Sequence, residues 1–269
     1  MTAVSELFER PKKRLAWGRE ALDQFHAKSR KHLDNWPHKI VIEPDDDPAL
    51  EVQKIVLKPL TIPEEIEILA NRAIEDVKHA FDQATFAACK ALQRDLRPND
   101  TINFPWTDTE AGFRSRVAKK SCRIPDHLHD VFLRLKPYGA GEDLTLDDQI
   151  ARQMAHIANR KHSIGLVVRT QLHYRIKEGR WAGGDRWLDT ATESLEFILA
   201  PQLDPVKNEI VLARGTPGVL AYTQYDAEFS LHIAIDEPSP AGDYALEWLL
   251  HVFAEKANAV IETLENAVS

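Results

Sequence analysis

Arg152, His156 and Arg160 stand at i, i+4 and i+8 within residues 145–162, and Asn159, Lys161 and His162 crowd the end of the same stretch. On a helix that spacing sets two guanidinium forks and an imidazole in one row. Guanidinium groups offer phosphates and carboxylates paired, charge-assisted hydrogen bonds. The expected ligand-binding set is therefore Arg152, His156, Asn159, Arg160 and His162, with an anion as its ligand. Cations late in a helix also offset its negative carbonyl end, a role that needs no ligand.

Two other sets have metal-ligand residue types. Asp76, His79 and Asp82 fall at i, i+3 and i+6, a spacing that carboxylate helix bundles use to hold metals. On a helical wheel, however, His79 points away from the apolar stripe, so a solvated face is expected. Asp126-His127-x-His129-Asp130 opens a short helix, where acids satisfy the dipole and the two histidines diverge. No metal site and no cofactor is expected. Gly139-Ala140-Gly141 precedes a helix, but Glu142 and Asp143 would repel a phosphate. No nucleophile elbow, P-loop, His-Glu-x-x-His or Cys-x-x-Cys occurs, so no catalytic residue is assigned.

The elements that would carry these residues follow from periodicity. A helix is expected from about Glu6 to Asp34, with Pro11 near its start, stopping before Trp36-Pro37. His38–Glu43 and Glu51–Lys58 read as a hairpin across the turn-rich Pro44–Pro48. Pro63 and Glu64-Glu65 open a second helix to Leu92. Its stripe is Ile66, Leu69, Ala70, Ala73, Ile74, Val77, Phe81, Ala84, Ala88 and Leu92, and so many alanines imply a close helical neighbour.

Residues 101–123 read as irregular, with Phe104-Pro105-Trp106 anchoring the loop to the core. A helix follows from Pro125 to about Leu135. Thr145 and Asp148 form a capping-box pattern before a helix through His162, buried along Leu146, Ile150, Met154, Ile157 and the Lys161 stem. The period then changes to 2. Strands are expected from Val168 to Ile176, at 193–200, 208–214, 218–224 and 227–235, with a tight turn at Trp181–Trp187. A last helix, 241–266, should bury Ala245, Trp248, Leu249, Val252, Phe253, Val260, Ile261 and Leu264.

The 269 residues carry a net charge of −8, with 43% hydrophobic and 28% charged residues, which suits a globular chain and not a disordered one. Charge is unevenly spread. Residues 41–76 hold ten acids against three bases, and 187–269 fourteen against three; 111–136 hold seven bases against two acids, and 152–186 eight against two. The basic stretches either offset the acidic ones across the fold or form one face for an anionic partner. Overall acidity argues against broad nucleic-acid binding. Cys89 and Cys122 are too few for a disulfide framework. The N-terminus lacks a signal-peptide pattern and no apolar run is long enough to span a membrane. A cytoplasmic location, with no membrane partner, is the expectation.

Four pieces taken in order carry a resemblance. They are Asn71-Arg72-Ala73-Ile74-Glu75-Asp76-Val77-Lys78-His79-Ala80-Phe81-Asp82-Gln83, then Phe104-Pro105-Trp106, Lys136-Pro137-Tyr138, and Asn159-Arg160-Lys161-His162. In this order the chain resembles a widespread uncharacterised bacterial protein family with Asn-Leu-Arg-Ser-Ala-Leu-Asp-His, Phe-Pro, Gln-Pro-Tyr and Asp-Lys-His-Arg type motifs. Gln83 stands where that family has His, Arg160 where it has Asp, and Ser163 where it has Arg. The two-helix core is also similar to the HEPN superfamily, whose ribonucleases use Arg-x(4–6)-His. Arg19/His26, Arg72/His79 and Arg123/His129 fit that spacing, against roughly two expected by chance.

The sequence thus predicts an α+β fold. A helical, HEPN-like region with a small hairpin spans 1–163, and an antiparallel sheet with a C-terminal helix spans 164–269 in one compact unit with it. The expected function is that of a binding or interaction module with an anion site for a small molecule or nucleic acid, and homodimerisation is a further expectation. The alternative is a HEPN-like ribonuclease or nucleic-acid-processing protein.

Overall fold

In the computed structural model the chain is α+β, with long helices and a mainly antiparallel sheet. The structure describes residues 4–35, 39–46, 52–58, 62–93, 95–97, 100, 102–119, 123–141, 143–164, 168–181, 195–198, 203–204, 206–207, 209–235 and 244–269. Two compact units share the chain. The first takes Met1–Arg30, Pro63–Arg169 and Ala234–Ser269; the second takes Lys31–Ile62 and Thr170–Ile233. No helix among the described residues is long and apolar enough to cross a membrane.

Unit 1 is a helical bundle. Its long members are α1 (Val4–Asp34), α2 (Glu64–Leu92), α5 (Leu146–Ile164) and α6 (Leu246–Val268); α3 (Glu110–Val117) and α4 (His129–Leu135) are short. The alanine stripe of α2 does what its composition implies: Ala70, Ala73, Ala80, Ala84 and Ala88 are fully buried, and α2 packs on α6 and α5. α1 runs antiparallel to α6. Lys12–Glu265 and Arg19–Glu255 ion pairs of 2.8 Å tie the two, with His26 and Glu247 meeting at the far end. α1 also covers α2, so closely that a Cβ on Gly18 would lie 2.8 Å from Val77 Cγ2.

Phe104 and Trp106 anchor their loop as the sequence predicts. Both rings stand 5.1 Å from the Phe81 ring, which stacks on Phe253 at 5.2 Å. Residues 101–123 are more regular than expected. β3 (Thr107–Thr109) pairs in parallel with β4 (Tyr138–Ala140), and Thr109 caps α3 by accepting from Gly112 N at 3.1 Å. The capping box of α5 is present: Thr145 N donates to Asp148 Oδ2 at 3.1 Å and Asp148 N to Thr145 Oγ1 at 3.2 Å.

Unit 2 holds a five-stranded sheet. β1 (Lys39–Pro44) and β2 (Gln53–Lys58) form the hairpin, β2 pairs antiparallel with β8 (Glu209–Gly215), and β8 carries β6 (Leu195–Phe197) and β7 (Leu203–Asp204). Ile55, Leu57, Ile210, Leu212, Ala213 and Leu220 form its apolar cluster. A separate two-stranded ribbon pairs β5 (Val168–Trp181) with β9 (Thr223–Ile235).

Several local expectations fail, among them Ala245, which is half-buried and caps α6, and Trp181, which ends β5 where a turn is expected. The strand expected over 218–224 is a turn and a 3-10 helix, Leu220–Tyr222, before β9 begins. The positive φ of Gly218 explains the break, since that conformation belongs to turns. Leu146, the first residue of α5 and expected on its buried stripe, is 46% exposed. Trp248 is 36% exposed although its neighbours Leu249 and Val252 are buried. The expected turn at residues 182–187 and the residues 241–243 of the last expected helix lie outside the described residues.

Candidate functional site

Among the described residues, Arg152, His156, Asn159 and Arg160 line neither the cleft between α1 and α2 nor the hollow between α1 and α6. Arg152 is committed: its Nε donates to Thr107 O at 2.9 Å and its Nη2 meets Asp108 Oδ1 at 2.7 Å. Its stem packs on Gly139, where an added Cβ would lie 2.8 Å from Arg152 Cγ. Arg152 thus pins α5 to the β3–β4 pair. His156, Asn159 and Arg160 are exposed further along the helix, and the His162 side chain lies outside the described part. The three Arg-x(4–6)-His arginines are also engaged: Arg19 with Glu255, Arg72 with Asp76 and Arg123 with Asp100.

The face of α2 expected to be solvated is largely covered. Asp76 is 6% exposed and pairs with Arg14 of α1. Asp82 is half-buried, pairs with Lys78 at 2.8 Å and accepts from Phe104 N at 3.0 Å. His79 is half-buried between them. The reason is α1: a wheel of α2 alone shows the stripe facing α5 and α6 but not a second neighbour on the other side. Burial holds the His79 imidazole below its usual range, and the Arg14 and Lys78 charges push it the same way, against Asp82 and Glu75.

One turn further along, α1 and α2 part into a cleft of about 480 Å³. Arg10 of α1, Gln83 and Phe86 of α2, and Asn103 of the loop line it, with Asp82 and Asp100 at its edges. Asp82 and Asp100 are spoken for, the latter by Arg123 at 2.7 Å and Arg97 N at 2.8 Å. Arg10, Gln83 and Asn103 make no side-chain hydrogen bond or ion pair among the described residues. Gln83 Oε1 is buried without a partner, as is His79 Nδ1 one turn back. Leu7 and Pro11 form the α1 wall. Proline has no N–H, so Pro11 cannot give the Leu7 carbonyl its helical hydrogen bond. The cleft wall holds one buried acceptor without a partner, beside an aromatic face.

Unit 2 has a polar cluster of the opposite kind. Lys54 of β2 is 1% exposed, and its Nζ lies 2.5 Å from Glu209, 2.7 Å from Asp46 and 3.5 Å from Glu43. The register sets Glu43, Lys54 and Arg214 side by side across three strands, and Arg214 meets Asp45 at 2.7 Å. Burial would lower the Lys54 pKa, but hydrogen bonds to Asp46 and Glu209 outweigh it and raise it. Hydrogen bonds from Lys207 and Lys54 bring Asp46 down to about 2. A lysine held this firmly as an ammonium is no nucleophile. The cluster reads as structure.

Sequence reasoning missed Arg10 and Asn103 and met Gln83 only as a departure from the family motif. Pro11, seven residues into a helix, was the available signal. Among the described residues no group of three or more His, Cys, Asp or Glu is placed to hold a metal ion. Comparison with family models, curated proteins and solved structures finds no match for this chain.

Proposed function

We propose that this protein is a small-molecule-binding module whose site is the cleft between α1 and α2. The observation that carries the reading is the buried, partnerless Gln83 Oε1 on the wall of a cleft of ligand size. A buried acceptor left unpaired costs about 1–3 kcal/mol, and a donor on a ligand would recover it. Gln83 Oε1 favours a ligand that donates a hydrogen bond, and Phe86 favours one with a flat apolar face. Asp82 and Asp100 are each paired with a cation, and Glu6 lines the cleft along with Arg10, so the cleft offers an anion no net positive charge. The anion reading of the α5 row has less support, because Arg152 already satisfies its fork within unit 1.

Calorimetric titration with benzamide and with benzoate, its acceptor-only isostere, tests the proposal. Benzamide should bind with a Kd of about 1 mM, as a fragment of nine heavy atoms can. Benzoate should bind more weakly, and Gln83→Leu should abolish the benzamide signal. Tighter binding of benzoate, or benzamide binding untouched by Gln83→Leu, would refute the assignment.

A further inference from the structure

Trp248 is more exposed than its place in the helical pattern predicts. Periodicity sets it with Leu249, Val252 and Phe253 in the core, and those three are buried. Trp248 instead stands 36% exposed on a second hollow of unit 1, about 410 Å³, between α1 and the first turns of α6. Leu22, Asp23 and His26 form one side and Glu247 and His251 the other. The Tyr244 ring backs Trp248 at 4.9 Å, tilted by 44°. Glu247 Oε1 approaches His26 Nδ1 to 2.5 Å without the alignment of a hydrogen bond, and Asp23 has no partner among the described residues.

We infer that this hollow is a binding site for an alkylated ammonium group. A tryptophan face is the strongest aromatic partner for a cation, and a methylated ammonium needs ring contact and negative charge but no hydrogen-bond acceptor aimed at it. Trp248 supplies the face, with Tyr244 fixing its tilt. Asp23 and Glu247 supply the charge from two helices, and Leu22 gives an apolar floor for the methyl groups. Glu247, in the first turn of α6, also offsets the positive end of that helix. An anion would meet two carboxylates, and a neutral group would gain the ring contact without the field. The exposed part of the Trp248 ring is then the surface that meets the ligand.

The test compares choline with 3,3-dimethylbutan-1-ol, its uncharged carbon isostere, following the tryptophan emission of the full chain. Choline should give a saturable change with a millimolar Kd, and the isostere should bind about tenfold more weakly. Trp248→Phe should remove the signal change, which assigns it to this residue. Asp23→Asn with Glu247→Gln should weaken choline about tenfold and leave the isostere unchanged, with an unaltered far-UV circular dichroism spectrum as the check on folding. No saturable response to choline, equal binding of the two probes, or a doubly neutralised variant that binds choline as the wild type does would each overturn the site.

Discussion

Lys54 and Gln83 are both polar side chains carried on regular elements and flanked by carboxylates, yet their surroundings differ. Around Lys54 the sheet register delivers a counter-charge in every direction, and Glu209, Asp46 and Glu43 leave nothing for a ligand to satisfy. Around Gln83 the nearby carboxylates are taken by Lys78 and Arg123; its buried Oε1 has no partner, and Arg10 and Asn103 line the cleft unpaired among the described residues. A buried charge survives only when it is fully compensated, so a closed cluster signals a structural device. An open one, with an unmet acceptor on a cleft wall, signals a place where something else binds.

The largest expected effect lies in the closed cluster. Lys54→Met leaves Glu209 buried without its cation and should cost about 3–5 kcal/mol in urea unfolding, while adding Glu209→Leu should recover most of it. A single-variant loss below about 1 kcal/mol would mean that the cluster is wet and the contrast overstated. Next comes the scaffold that holds the cleft open. Ala84→Leu, at a fully buried position on α2, should overpack the bundle at a cost of about 1–3 kcal/mol. A melting temperature equal to wild type would show a looser helix contact than the geometry gives.

The open cluster should answer differently. Gln83→Leu removes a partnerless acceptor, so stability should stay level or rise by about 1 kcal/mol even as ligand binding is lost. A loss of about 2 kcal/mol or more would place Gln83 in the structural class with Lys54.

Acid should separate the regions as well. His79 has a folded pKa below its unfolded 6.5, so the stability it allows is present above pH 6.5 and falls away as pH drops toward the folded value. Asp46, at about 2 against 3.8 unfolded, keeps its contribution until pH falls below 3.8 and loses it as pH approaches 2. Stability of the wild type should therefore decline in two windows. His79→Leu should lessen only the upper decline, leaving the share that burial of His32 contributes, and an unchanged upper slope would contradict the role given to His79.

Much of the fold was legible because single-element periodicity decides it. The alanine stripe of α2, the Thr145/Asp148 cap and the hairpin around residues 44–52 each depend on neighbours in sequence. What sequence left hidden depends on a second neighbour. The wheel placed Asp76 and His79 in solvent because nothing in α2 announces that α1 lies across it, and Gly18, which permits that approach, carries no visible pattern. Arg152 looked like a ligand arm because its partners, Thr107 and Asp108, sit in a stretch that reads as irregular. The cleft was the least legible part. Its lining comes from α1, α2 and a loop, far apart in the chain, and its defining property is a missing hydrogen bond.

The side-chain amide of Gln83 is the most direct witness to that property. In an ¹⁵N-labelled protein its NH₂ resonances, assigned by their loss in Gln83→Leu, should shift saturably as benzamide is added, with the ring protons of Phe86 moving in step. Resonances of Gln24, whose amide already donates to Glu20 at 3.3 Å on the exposed side of α1, should stay still. Gln83 resonances that do not move at benzamide concentrations well above 1 mM would contradict the account, since the unmet acceptor on the cleft wall is the group the ligand is proposed to satisfy.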